Sequence, residues 1–368
     1  MIRIKAGVPH RRRPRTSSRR SRCALTLGLP TAWGAVAVSY KFGCPLAEQN
    51  GLGARIVTSA VFFAVGTGLI LHVRRALLQE LRQARKVAGA AQSVLLRPLP
   101  PRLAGLNVAA AQLSADRGAA IGGDLYEAVA TEHGVRVVMG DVRGHGLAAI
   151  GTVAAVLGSF REAAHDEPEL GHVLGRLDRA LARHLRERAR AEHPASGLDP
   201  DNPVAEEFVT LLLLEIAGDG DVRAINCGHP WPYVLRDVRV QPLSCADPLP
   251  PLGPFALPTD LTTTDCGPLH LGESLVLYTD GAEDARDAGG HFFSLAATLA
   301  KAVRAHPVSP QGILKTVFTA LLHHTNGRPT DDIALLVLRN ERAHQRAPLG
   351  VRGTARPAPT HPQSTTHR

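Results

Sequence analysis

The run "GGDLYEAVATEHGVRVVMGDVRGHGLAA", residues 122–149, decides how the chain folds. Two apolar stretches, DLYEAVA (124–130) and GVRVVMG (134–140), meet at the polar segment TEHG (131–134). That pattern predicts a β-hairpin. Opposed residues of an antiparallel pair have a constant sum of positions, so a turn centred on 132–133 sets Asp124 across from Asp141. Two carboxylates would then stand side by side at the open end of the hairpin. Left alone they repel, and one resists ionising. A hard divalent cation removes that penalty, because Mg²⁺ and Mn²⁺ prefer oxygen ligands. Gly122, Gly123, Gly140, Gly144 and Gly146 allow tight turns and close approach of the backbone to an ion. One Asp ending a strand is ordinary turn chemistry. The symmetrical pair in a glycine-rich frame is what points to metal.

Outward from the hairpin, strand patterns recur: NVAAAQL (107–113), EFVTLLLLEIA (207–217), VRAINCG (222–228), ESLVLYTDG (273–281) and DIALLVLR (332–339). Helical spacing is expected over 147–164, 172–190, 294–305 and 309–323, and a loop over 191–206. The strand spacing predicts mainly antiparallel sheets with helices packed outside, an α/β layered domain over 104–340. Two further acidic strand ends join the first pair: Asp280 in LYTDG and Asp331–Asp332 in TDDIALLVL. Four carboxylate sites at strand ends suit a two-metal centre acting on a phosphoryl group.

The charge balance removes other function classes. The chain has 368 residues and a formal charge of +9, yet residues 1–22 alone hold eight Arg and one Lys with no acid. The remainder carries 33 basic and 33 acidic residues, so no nucleic-acid-binding body is indicated. Cysteines 23, 44, 227, 245 and 266 have no zinc spacing. At 4% aromatics a base-stacking platform is not expected.

Cys23–Tyr40 and Ile56–Val73 are each 18 residues without a charge, about enough for a bilayer core of ~30 Å. The basic tail before the first and RRALLQELRQARK after the second place both termini in the cytoplasm by the positive-inside bias. The expectation is a two-span cell-membrane anchor (23–73) behind the basic tail (1–22), with the catalytic part cytoplasmic. A juxtamembrane helix and linker (74–103), a candidate homodimer stalk, would end at RPLPPRL. A rival reading takes SSRRSRCALTLG and AVA (35–37) as a cleaved export signal; re-entry through the second span leaves the body cytoplasmic on either view. Residues 341–368, rich in Pro, Thr, Arg and His, read as a disordered tail.

In order along the chain, GGDLYEAV, GDVRGHGLAA, FVTLLLLEI, NCGHPWPYVL, PPLG (250–253), LVLYTDGAEDAR and DDIALLVL resemble the metal-dependent protein phosphatases of the 2C type. The likeness is to the bacterial subgroup named after stage II sporulation protein E, and it covers roughly residues 95–340. It implies an α-β-β-α sandwich with two or three Mn²⁺ or Mg²⁺ ions at one sheet edge. Asp124, Asp141, Asp280 and one of Asp331 or Asp332 would be ligands, Asp331 preferred, with the Val142 backbone carbonyl beside them. Asp124, Asp141 and Asp280 would be the catalytic acids. The implied reaction is hydrolysis of phosphoserine or phosphothreonine by a metal-activated water, and the implied partner is a phosphorylated anti-sigma-factor antagonist or similar signalling protein. His145 is assigned a turn or outer-shell role and His229 a structural one. Arg143 and Arg286 meet phosphate or solvent, and Thr210 and Thr279 have no assignable chemistry. The subgroup's DDxT reads DDIA here, with Ala334 in place of the hydroxyl.

Two other readings remain in view. GGDLY superficially resembles the loop of diguanylate cyclases, but Leu125 stands where that loop carries an acid. A membrane-tethered docking module that binds a sigma-regulatory protein without hydrolysis is the non-enzymatic alternative.

Overall fold

The computed structural model describes residues 33, 52–113, 122–144, 147–192, 207–304 and 308–342. The readings of the basic tail, the C-terminal tail beyond residue 342, the 191–206 loop beyond residue 192, and His145 fall outside these residues, as does the first apolar stretch apart from Trp33. The chain divides into two units, Met1–Ala90 and Ala91–Arg368.

Helix α1, Leu52–Leu95, runs unbroken for 44 residues, about 66 Å at 1.5 Å per residue. Its window Ser59–Glu80 is long and apolar enough to cross a membrane, the one such helix among the described residues. The expected second span and the juxtamembrane helix are therefore a single element.

Among the described residues, the larger unit has eleven strands in two sheets. Sheet one, in spatial order, comprises β1 (Arg102–Leu103), β2 (Leu106–Leu113), β11 (Ile333–Asn340), β10 (Ser274–Tyr278), β7 (Tyr233–Arg236) and β8 (Arg239–Pro242). Sheet two comprises β3 (Asp124–Thr131), β4 (Gly134–Val142), β5 (Val209–Ile216), β6 (Asp221–Cys227) and β9 (Thr264–Pro268). Every strand pairing within the sheets is antiparallel. Four shorter helices complete the unit: α2 (Leu147–Asp166), α3 (Leu170–Glu192), α4 (Leu295–Ala302) and α5 (Pro310–His324).

Side chains alternate across a strand, so a strand covered on both faces reads as a continuous apolar run. This explains LLLL at 211–214. Leu212 and Leu214 enter the core between the sheets, while Leu211 and Leu213 face α2 and α3. In β11, Ala334, Leu336 and Leu338 enter the inter-sheet core, and Ile333, Leu335 and Val337 pack with α4 and α5. Three cores thus separate four layers in the order α-β-β-α. Strands β7, β8 and β9 are only four or five residues each.

One buried cation fixes a layer junction. Arg136 in β4 is fully buried; its Nε and Nη2 donate to Glu215 Oε2 at 2.8 and 2.7 Å. It also donates to the carbonyls of Ala164 (3.0 Å), Glu167 and Pro168 (2.7 Å). The guanidinium therefore satisfies carbonyls that the end of α2 leaves unpaired.

Candidate metal centre

Strand directions alone bring the acids together. β3 begins at Asp124 and pairs antiparallel with β4 so that Asp124 is the direct partner of Asp141. In the facing sheet, β10 ends at Tyr278, which pairs with Leu335 of β11. Asp280 follows the end of β10, and Asp331–Asp332 precede the start of β11. Four strand ends from two sheets thus deliver their carboxylates to one edge.

A threonine links the sheets there. Thr279 Oγ1 donates to Asp124 Oδ2 at 3.2 Å and accepts from the Ala334 N–H at 2.9 Å. The Thr279 N–H returns to the Ala334 carbonyl at 3.1 Å. Ala334, at the position of the missing DDxT hydroxyl, is itself buried between the sheets and serves through its backbone. The short 3₁₀ turn Asp280–Ala282 is steadied from below, where Tyr233 stacks on Tyr278 at 5.6 Å and donates from Oη to Glu283 at 3.0 Å.

Proton affinities record how crowded this negative edge is. Burial holds Asp124 well above the usual carboxylate range, and the charges of Asp141 and Asp332 push it further against the Thr279 bond. Asp141 is raised to about 7, by burial first and then by Asp280, Asp331 and Asp332. Burial followed by the Asp331 charge raises Asp280, and Asp331 is raised chiefly by burial. Among the described residues Asp124, Asp141 and Asp280 have no Lys or Arg partner. Both Asp331 and Asp332 face the cluster, Asp332 acting on Asp124 and Asp331 on Asp280.

Glycine makes the cradle. A Cβ on Gly123 would collide with the Val142 carbonyl oxygen and lie 2.6 Å from Asp141 Oδ1. One on Gly122 would strike the Asp332 carboxylate, and one on Gly281 the Asp332 carbonyl. Buried, uncompensated carboxylates with backbone oxygen beside them fit hard divalent cations. Among the described residues no three such groups close into a complete single-ion cage.

Two hydroxyls to which the sequence assigned no chemistry thus hold the acids: Thr279 grips Asp124, and Thr210 Oγ1 receives the Asp141 N–H at 3.3 Å. A threonine directly before or opposite a strand-end Asp is the signal that was there to read. Arg143, exposed in the loop after Val142, donates its N–H to the Phe208 carbonyl at 2.9 Å and sets its guanidinium 5.2 Å above the Phe208 ring. Arg286 lies 3.9 Å above Phe292. His229 is buried against Thr210.

A family model described as stage II sporulation protein E matches residues 131–341, more than half of the 368 residues. Asp124 lies before that match, so its place rests on its register with Asp141 and its bond to Thr279. Among solved structures the chain is similar to the SiaA-PP2C domain of Pseudomonas aeruginosa, with 20% identity, 72% of this chain and 98% of that one covered, and a TM-score of 0.53. It is also similar to the RsbU and RsbW domains of a Mycobacterium tuberculosis protein, at 23% identity and a TM-score of 0.50. That alignment covers 65% of this chain and spans 61% of the mycobacterial one. These two likenesses show the fold.

Proposed function

This chain belongs to the stage II sporulation protein E family, metal-dependent serine/threonine phosphatases of the 2C type, and from that premise we propose that it is a membrane-anchored phosphatase of a signalling phosphoprotein. The substrate class is an anti-sigma-factor antagonist or a similar regulator carrying phosphoserine or phosphothreonine. The observation that carries the reading is the edge where Asp124, Asp141, Asp280, Asp331 and Asp332 converge from both sheets, the first four with raised proton affinities and the first three with no cationic partner among the described residues.

In this proposal those carboxylates and the Val142 carbonyl would hold Mn²⁺ or Mg²⁺, Asp331 on the Asp280 side and Asp332 on the Asp124 side. When bound, such ions lower the pKa of a water and neutralise charge on a transferring phosphoryl group. The chain's own contributions are positional. Thr279 and Thr210 hold Asp124 and the Asp141 backbone, and the glycines admit the backbone oxygens. Arg143, held over Phe208, offers an exposed cation to the phosphate. Residues 104–340 would form the catalytic domain and 23–73 the anchor. The apolar window in α1 and the asymmetric basic flanks support a cytoplasmic catalytic part, with the first stretch as a second span and α1 as a dimer stalk.

The test is phosphate release by the full chain in detergent with Mn²⁺, from phosphoserine and phosphothreonine proteins that include a phosphorylated anti-sigma-factor antagonist. Metal-dependent release that vanishes in Asp141→Ala is expected. Absence of release from every phosphoprotein, with cellular output unaffected by Asp141→Ala, would establish the docking module instead.

A further inference from the structure

His229 is among the least exposed polar residues of the chain, at 4%, and it sits where the two sheets meet beneath the acidic edge. Its backbone is clamped from both sides by one side chain. The His229 N–H donates to Asn226 Oδ1 and Asn226 Nδ2 donates to the His229 carbonyl, each at 2.8 Å. The loop NCGH therefore fixes the ring rather than merely containing it. Nδ1 lies 3.1 Å from Thr210 Oγ1, and that same oxygen receives the Asp141 N–H at 3.3 Å. Thr210 is also the direct cross-strand partner of Asp141.

The other ring nitrogen faces the opposite sheet. Nε2 is buried without a well-directed hydrogen bond, and the Tyr278 backbone is the group whose proximity favours a proton on the ring. Burial outweighs that pull and lowers the imidazole's pKa to about 3, so the ring is neutral. A neutral imidazole has one donor and one acceptor. Thr210 Oγ1 accepts the Asp141 N–H and also lies 3.5 Å from the Asp141 carbonyl, so one hydroxyl joins the Nδ1 edge of the ring to the Asp141 backbone. Tyr278 immediately precedes Thr279, which holds Asp124, and lies two residues before Asp280.

We propose that His229 is a positioning residue for the metal centre, its ring spanning the two sheets so that Asp141, through Thr210, and the Tyr278–Asp280 strand end keep a fixed separation. The inference rests on the phosphatase reading above. Outer-shell partners of metal ligands typically change metal affinity about 10–100-fold when removed, whereas a histidine that only fills a core can be exchanged for an apolar side chain with no effect on metal.

The experiment is a double-mutant cycle of His229→Leu and Thr210→Val in the full chain. Mn²⁺ affinity is read from free Mn²⁺ by electron paramagnetic resonance, beside metal-free melting curves. Each single substitution should weaken Mn²⁺ binding about 10–100-fold, and the double no more than the larger single, because both break one chain of contacts. Additive effects, or Mn²⁺ affinity within about twofold of wild type in folded His229→Leu, would overturn the proposal. Should His229→Leu not fold, Thr210→Val, which is nearly isosteric, decides: an unchanged Mn²⁺ affinity there overturns it equally. A wild-type chain that binds no Mn²⁺ would instead overturn the phosphatase reading.

Discussion

Asp124 and Asp141 are direct cross-strand partners at the open end of the β3–β4 hairpin, and both bind protons more tightly than a free carboxylate. A folded-state acid with a raised pKa binds more protons than its unfolded counterpart, so the metal-free fold loses stability as pH rises from the ordinary carboxylate value toward about 7 for Asp141. His229 works the other way, its lowered pKa adding stability with rising pH up to its ordinary value of 6.5. Above that value only the acids remain. Metal-free melting temperature should therefore fall between about pH 6.5 and 8, more steeply in wild type than in Asp141→Asn, and saturating Mn²⁺ should remove the slope. The same competition makes the half-saturating Mn²⁺ concentration fall as pH rises through about 7. Asp141→Asn should lower phosphatase activity by more than the roughly 100-fold typical of outer-shell changes. A melting temperature that climbs over this range in metal-free wild type would contradict the account.

Gly123 tests the cradle. Its missing Cβ leaves room for the Val142 carbonyl and Asp141 Oδ1, and its own carbonyl accepts the Val142 N–H at 3.1 Å. The Val142 backbone cannot rotate away, so Gly123→Ala should cost about 1–3 kcal/mol, as overpacking does, and abolish Mn²⁺-dependent turnover. Gly158 is the control: it is exposed in α2, and a Cβ there meets nothing within 4 Å. Gly158→Ala should leave activity intact and stabilise by about 0.4–1 kcal/mol, measured by urea unfolding.

Thr279 joins the sheets through one hydroxyl, which donates to Asp124 and accepts from Ala334. Thr279→Val keeps the volume and removes both bonds. Activity at limiting Mn²⁺ should fall about 10–100-fold, with most of it recovered in Thr279→Ser. Equal losses in the valine and serine variants would show that shape rather than the hydroxyl matters.

The sequence made the hairpin legible because strand period and turn position are local, and their sum placed Asp124 opposite Asp141. Runs such as LLLLEI and ALLVL marked strands, which the structure buries on both faces. Less could be read of what crosses between sheets. Thr279 touches Asp124 from 155 positions away, a contact that follows from which sheet faces which, while Thr210 reaches Asp141 from 69 through the β4–β5 register within one sheet. The edge strands β8 and β9 went unread because their residues are mostly exposed or half-buried and form no apolar run, whereas β10, also five residues long, is buried throughout. The helical spacing after the second apolar stretch read as a helix continuing out of that stretch, and the two form one 44-residue element.

Arg143 stands apart from the carboxylates it follows, without an acidic partner among the described residues and held above Phe208. If it receives substrate phosphate, Arg143→Ala should lower kcat/KM by about 10–100-fold, the equivalent of the roughly 1.5–3 kcal/mol of a hydrogen bond to a charged group. Mn²⁺ half-saturation and melting should be unchanged, since a surface substitution of this kind stays within about 0.5 kcal/mol. Steady-state kinetics on the phosphoprotein at saturating Mn²⁺ separates this from a metal effect.

Arg136 tests the frame at a distance from the chemistry. It lies five residues from Asp141 along β4, about 17 Å in an extended strand. Its guanidinium meets Glu215 and the carbonyls of Ala164, Glu167 and Pro168. Arg136→Met leaves those carbonyls unpaired and strands a buried carboxylate, whose remaining cation, Arg223, is 3.8 Å away and largely exposed. Removing one member of a buried pair typically costs about 3–5 kcal/mol, whereas replacing both by apolar side chains is often close to neutral. The α2 carbonyls keep their need for a donor in either case, so Arg136→Met with Glu215→Leu should recover only part of the loss. Urea unfolding of wild type, the single and the double measures this. The folded fraction of each variant should keep wild-type Mn²⁺ affinity, because nothing at the acidic edge has moved; a large loss of metal binding in Arg136→Met would show that the two ends of β4 are coupled.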